Sequence, residues 1–267
     1  MMDVKTFQQL REIVYRNSGI KLNDTKVAMV SSRIAKRMRV LKIDNHSEYL
    51  HYLVKDKTGD EITKFLDVIS TNVTSFFREP EHFNLLEKVV AEAVAAGQTR
   101  IRIWCAAAST GEEPYTIAMV CRQAAADRPI DLRILATDIS TKVLGEAQEG
   151  VYLPEKLKTV PRPLINKYFT QKTVAGEHLY DISDQLKKMI VFRRLNLAKP
   201  PFPMKGPLDF VFCRNVMIYF DNIVRSGLVS EIYRLLKPGG YLITGHSESL
   251  TSIENKFECL KPSVFQK

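Results

Sequence analysis

The spacing of apolar residues changes once along this chain, and that change limits what it can fold into. Up to about residue 70 the spacing is helical. Val4, Phe7, Leu10 and Val14 follow Asp3, a residue type that caps helix N-termini, and Asn17-Ser18-Gly19 closes the segment. Val27, Val30, Ile34 and Met38 mark a second amphipathic helix. Ser47 is expected to open a third, carrying Tyr49, Leu50, Leu53 and Val54, and Asp60 to Ile69 a fourth. Alternating strand patterns begin only near residue 100. The chain therefore reads as a small all-helical unit (1–70), a linker with a helix (71–97), and a larger domain of mixed type (98–267).

In the larger domain, short apolar runs alternate with helical segments. Ile101–Cys105, Leu132–Ala136, Met189–Arg193 and Leu208–Cys213 read as strands, the last continuous and apolar apart from Asp209, as a strand buried on both faces would be. Helices are expected from Glu113 to Ala125, Ser140 to Gln148 and Ile223 to Leu236. Lys237-Pro238-Gly239-Gly240 reads as a turn before a strand at Tyr241–Thr244, and Val264-Phe265 as a final edge strand. This alternation predicts an α/β fold with a doubly wound parallel sheet. Residues 150–188, with Pro154, Pro161 and Pro163, are too long for a simple connection. They are expected to form a helix and a small hairpin, Thr170–Val174 against His178–Ile182.

Composition narrows the function classes. Lys and Arg number 39 against 30 Asp and Glu, a formal charge of +9, which suits an acidic partner without specifying one. Lys26, Arg33, Lys36, Arg37, Arg39 and Lys42 fall in a stretch that contains no acid. Cys105, Cys121, Cys213 and Cys259 stand alone, and the five histidines are scattered, so no metal-ligand or redox spacing is present and no metal is expected. No apolar run approaches a membrane span, and Met1-Met2-Asp3-Val4-Lys5 lacks the features of a signal peptide. A reduced, cytoplasmic protein without membrane insertion is expected.

In open α/β sheets, ligands sit beyond the carboxyl ends of the strands. After the first strand comes Ala106-Ala107-Ala108-Ser109-Thr110-Gly111-Glu112-Glu113. Small side chains let the backbone approach a ligand, but two carboxylates would repel a pyrophosphate, so a cationic or zwitterionic ligand fits better. The same glutamates also suit the first turn of a helix. Asp138 ends the second strand, where an acid can accept from two ribose hydroxyls or cap a helix. Leu195-Asn196-Leu197 follows the third strand, and Arg214-Asn215-Val216-Met217-Ile218-Tyr219-Phe220 the fourth. An adenosine with a charged tail and no phosphate is the natural candidate.

Three segments resemble the CheR chemotaxis receptor methyltransferases: Thr71-Asn72-Val73-Thr74-Ser75-Phe76-Phe77-Arg78, Trp104 to Tyr115, and Phe212 to Phe220. Gly245-His246-Ser247-Glu248 is similar to the family's late strand. The resemblance runs over nearly the whole chain. It implies a class I S-adenosylmethionine-dependent methyltransferase sheet with an N-terminal helical domain and a small inserted antiparallel β-subdomain. It also implies methyl transfer to glutamate side chains of chemoreceptors, giving glutamyl methyl esters and S-adenosylhomocysteine. The family's cofactor contacts fall on Asn72, Thr74, Arg78, Glu112, Asp138, Asn196, Leu197, Asn215 and Val216. Asp138 would take the ribose, Arg78 the methionine carboxylate, and Glu112 the ammonium group.

A glutamate acceptor is already ionised at neutral pH, so no general base is required. Tyr219 is the residue expected nearest the transferred methyl, either orienting the acceptor or lining the pocket. Arg33 and Arg37 share a helix face with Lys36 alongside, and with Arg39 they are expected to dock the cytoplasmic helical bundle of the receptor; the same residues also suit a solvated face. A monomer is expected. Two other functions stay open: a nucleic-acid methyltransferase, though the segment after the fourth strand lacks the prolines of a base-flipping loop, and a binding module that holds the cofactor without turnover.

Overall fold

The computed structural model describes residues 2–126, 128–174 and 176–267. The N-terminal unit consists of α1 (Val4–Ser18), α2 (Val27–Leu41), α3 (His46–Lys55) and α4 (Asp60–Ile69). The Asp3 side chain caps α1, accepting from the Thr6 N–H at 2.9 Å. Asn45 rather than Ser47 caps α3, through the Glu48 N–H at 2.9 Å, so that helix starts at His46. Phe7, Leu10, Val14, Val30, Ile34, Met38, Phe65 and Leu66 form its core.

That core also encloses a charge. The Glu61 carboxylate is 2% exposed. Arg37 donates to it from Nε at 2.8 Å and from a terminal nitrogen at 2.6 Å, and the Tyr49 hydroxyl donates at 2.9 Å. Arg33 donates to the carbonyls of Ile69 and Ser70 at the end of α4. The expected docking strip is corrected accordingly. Arg33 and Arg37 are engaged in binding α2 to α4, because the end of one helix presents bare carbonyls and the start of the other a buried acid. Lys36 and Arg39 remain exposed on α2.

The linker leads into α5 (Glu81–Ala95). The larger domain then runs β1 (Arg100–Cys105), α6 (Glu112–Ala124), β2 (Asp131–Asp138), α7 (Thr141–Glu149), β3 (Val151–Tyr152), α8 (Arg162–Tyr168), β4 (Phe169–Val174), β5 (Glu177–Ile182) and α9 (Asp184–Lys187). It continues with β6 (Ile190–Arg194), β7 (Leu208–Cys213), α10 (Asn222–Leu235), β8 (Leu236–Thr244), β9 (Glu258–Lys261) and β10 (Val264–Gln266). The main sheet has the order β6-β2-β1-β7-β8-β10-β9. From β6 to β8 the pairs are parallel; β10 is antiparallel to both β8 and β9.

Alternate residues of β7 face opposite layers. Phe210 and Phe212 pack with α5 and α6, whereas Val211 and Cys213 pack with α10. Three sequence expectations need correction. Val264-Phe265 is not an edge strand, because β9, exposed at all four residues and so without a buried stripe, pairs outside it. Lys237-Pro238-Gly239-Gly240 is a bulge inside β8: Leu236 pairs with Leu208 and Tyr241 with Phe210, so the four residues between bow out. The inserted hairpin is joined by β3, only two residues long, in a three-stranded sheet of order β3-β5-β4.

Strand order reverses between β1 and β7, so their carboxyl ends open a crevice. The helical unit covers one side of it. The Lys21 N–H donates to the Tyr219 carbonyl at 2.8 Å, the Asn196 amide to the Asn17 carbonyl at 2.7 Å, and the Tyr15 hydroxyl to Asp221 at 2.6 Å.

Replacing Arg37 with Met leaves the buried Glu61 without its cation and is expected to cost about 3 kcal/mol. Urea unfolding checks this, and the double variant R37M/E61L is expected to recover part of the loss.

Candidate active site

A cleft of about 820 Å³ lies at that crevice. Ser18 and Ile20 reach it from the helical unit, residues 70–74 and Arg78 from the linker, and strand-end residues from the sheet. Of the residues expected at the cofactor, Asn72, Thr74, Arg78, Asp138, Asn196, Leu197, Asn215 and Val216 all line it, together with Tyr219.

Asp138 lies at the end of β2. Its two oxygens accept from the Ser109 N–H at 2.9 Å and the Ser140 N–H at 3.0 Å, which orients the carboxylate and leaves lone pairs toward the cleft. Burial outweighs these donors and raises its pKa above the ordinary aspartate value. The linker is held down by the Ser109 hydroxyl, which donates to the Asn72 carbonyl at 3.0 Å. Arg78 donates to the Val73 carbonyl at 3.1 Å and remains partly open to solvent.

Glu112 does not reach the cleft. It is the first residue of α6 and fully buried. The Lys156 ammonium donates to it at 2.8 Å and the Thr110 hydroxyl at 2.6 Å. One residue on, about 100° around the helix, Glu113 does line the cleft. Gly111 caps α6 with φ of 96°, and a Cβ there would stand 2.8 Å from the Tyr152 hydroxyl, so the turn requires glycine.

Arg214 and Glu248, to which the sequence alone assigned no role, organise the site. Arg214 is buried in the cleft wall. It pairs with Glu113, lies 3.1 Å from Glu79, and donates to the Arg78 carbonyl at 2.5 Å. Burial opposes its charge, but Glu113 and Glu79 prevail and raise its pKa. Glu248 folds back under the loop after β7. Its carboxylate accepts from the backbone N–H groups of Asn215, Val216, Met217 and Gly245 at 2.6 to 2.8 Å. This cage holds Asn215 at φ of 56°, uncommon for a side-chain-bearing residue, where it lines the cleft while its amide nitrogen lies 3.4 Å from Glu79. Gly245 is required here: a Cβ would meet the Asn215 amide nitrogen at 2.5 Å. A charged residue directly after the continuous apolar run of β7 was the available signal for Arg214, since a buried cation needs a buried acid.

The residues present fit S-adenosylmethionine. They provide a buried acid for hydroxyl groups, apolar walls at Ile139, Leu197 and Val216, side-chain amides, and both signs of charge for a zwitterionic tail. Residues 72–265 match the family described as CheR methyltransferase, SAM binding domain, and residues 5–70 match the CheR methyltransferase all-alpha domain. The chain belongs to the CheR methyltransferase family. It is 38% identical over 266 residues to a chemotaxis protein methyltransferase of Borreliella burgdorferi, covering 97% of this chain and 93% of that one. It is 37% identical over 259 residues to chemotaxis protein methyltransferase 2 of Pseudomonas aeruginosa (97% and 91% coverage). It is 36% identical over 259 residues to the chemotaxis protein methyltransferase of Escherichia coli (97% and 89%). The protein is thus an S-adenosylmethionine-dependent methyltransferase of the chemotaxis type with the class I fold. No helix among the described residues is long and apolar enough to cross a membrane.

Two outcomes follow for this CheR-family cleft. Glu248→Ala strands several backbone donors and is expected to weaken S-adenosylhomocysteine binding at least about tenfold by calorimetry. Because Asp138 accepts ribose hydroxyls best when ionised and its pKa is raised, affinity is expected to fall on acidification before an ordinary aspartate would protonate. Calorimetric titrations of S-adenosylhomocysteine at successively lower pH check this.

Proposed function

We propose that this protein transfers the methyl group of S-adenosylmethionine to glutamate carboxylates on the cytoplasmic helical bundle of chemoreceptors, giving glutamyl methyl esters. One observation carries this reading: both acids lining the cleft already have partners. Asp138 is held by two backbone N–H groups, and Glu113 is held by Arg214 and by the Cys105 thiol, which donates at 3.2 Å. Burial raises the pKa of that thiol far above its ordinary value, so it is no nucleophile. A site whose own acids are committed suits an acceptor that arrives ionised, and a glutamate does so at neutral pH.

The cofactor supplies a methyl group on a positively charged sulfur. The chain supplies position and dryness. Asp138 takes the ribose, Leu197 and Val216 enclose the base, and Asn72 and Thr74 close the pocket from the linker. Asn196 and Asn215 supply amides beside them. Arg78 pairs with the methionine carboxylate. Glu113, the acid that lines the cleft, takes the ammonium in place of Glu112. Tyr219 stands at the mouth and orients the incoming carboxylate. Docking falls to the basic residues of α2 that remain exposed, Lys36 and Arg39, which suit an acidic helical surface. One chain completes the cleft, which accords with a monomer.

With methyl-labelled cofactor, a receptor signalling fragment is expected to take up label that alkali releases, because esters hydrolyse and methylamines do not. Label on RNA or DNA instead, or alkali-stable label on the receptor, would overturn the reading. Reversing the exposed pair, K36E/R39E, is expected to raise the receptor KM about tenfold at low salt, with little change in kcat. The fold should be unaffected, since neither residue is tied into the α2–α4 contact.

A further inference from the structure

Behind the cleft wall, two histidines far apart in sequence meet at the start of α5. His82 lies in its first turn, and His246 lies just past β8, with ring centroids 5.3 Å apart in an edge-on arrangement. Glu79 lies between them: its Oε2 is 3.5 Å from His82 Nδ1 and 3.9 Å from His246 Nε2. Glu81 adds a carboxylate oxygen against His246 Nε2.

The hydrogen-bond network settles which His82 nitrogen carries its proton. His82 is 1% exposed, and its Nε2 lies 2.7 Å from the Ser263 hydroxyl. That hydroxyl donates its own proton to the Pro262 carbonyl at 2.6 Å, so it accepts from His82 Nε2–H. Nδ1 therefore presents a bare lone pair. It has no hydrogen-bond partner, and Glu79 Oε2 faces it with Arg214, 3.1 Å away, as its counter-charge. A buried lone pair facing a carboxylate oxygen is repulsive unless a cation stands between them.

We infer that Glu79, His82 and His246, with Glu81 at the rim, form a binding site for a first-row divalent cation, with zinc the best match. Two imidazole nitrogens and carboxylate oxygens are a ligand set zinc accepts. The three ligand atoms lie within 4.8 Å of one another, a spacing one ion spans. The Ser263 contact is the outer-shell partner that a metal-bound imidazole usually has: it fixes the tautomer and aims Nδ1 at the ion. Charge permits it as well. Glu79 and Glu113 pair with a single buried guanidinium, Arg214, Glu81 adds a further carboxylate at the rim beside His246, and Arg78 lies only at the cluster's open edge.

The test uses the full chain, competing a chromophoric chelator for Zn2+. One equivalent is expected to bind, and His246→Ala, at the more exposed ligand, is expected to weaken that binding at least about tenfold. Glu81→Gln is expected to weaken it less. Because His82→Ala risks misfolding, it is not needed. Absence of saturable binding at one equivalent would overturn the inference, as would an affinity that His246→Ala leaves unchanged.

Discussion

Arg214 carries its charge in a nearly dry place at the end of β7, and the cleft is assembled around it. One side of the guanidinium meets Glu113 at the start of α6, and the other meets Glu79 and the Arg78 carbonyl in the linker. An unpartnered charge at that depth would cost several kcal/mol, so sheet, helix and linker come together where its partners converge. The linker gains most from this. It has no regular structure over residues 71–80, and Phe77 and Glu79 adopt positive φ angles of 54° and 59°, conformations that need support from outside the segment. With Arg78 and Glu79 tethered to Arg214, Asn72 and Thr74 are held across the crevice from Asp138.

Glu248 solves the corresponding problem on the other side. The loop after β7 turns sharply enough to point several backbone N–H groups inward, and one carboxylate gathers them. Asn215 is then fixed between Glu248, which takes its backbone N–H, and Glu79, which lies 3.4 Å from its amide nitrogen. Strain at Ser109, Glu79 and Asn215 is thus gathered at the cleft and its supporting wall, each held by charge or hydrogen bonds from neighbouring elements.

Much of this could be read in the sequence, for identifiable reasons. Periodicity located the helices of the N-terminal unit and the parallel strands, because each buries a stripe or both faces. It missed β9, which buries no stripe, and β3, which is too short to have a period. The strand-end rule picked out Asp138, Asn196, Asn215 and Tyr219, since topology alone carries those residues to the crevice. The motif pointed to Glu112, whereas Glu113 is the residue that lines the cleft. Adjacent residues on a helix point about 100° apart, and the side facing the cleft was decided by Lys156, which comes from an insert with no sequence link to the loop. Likewise, Arg33 and Arg37 look like surface charge until Glu61 and the end of α4 are seen beside them. The pairing of His82 with His246 had no signal in spacing, because the first turn of α5 and the loop after β8 meet only in the folded chain.

The account rests on the Arg214 cluster serving the site rather than the fold, and binding and stability can be measured apart. Replacing the buried ions together by uncharged side chains of similar size, E79Q/E113Q/R214M, removes the charges without leaving one unpaired, a change that proteins often tolerate. Titration of S-adenosylhomocysteine into this variant, beside its urea unfolding curve, is the most direct test. The account requires near-normal stability with binding weakened at least about tenfold. Unchanged binding in a stably folded triple variant would contradict it.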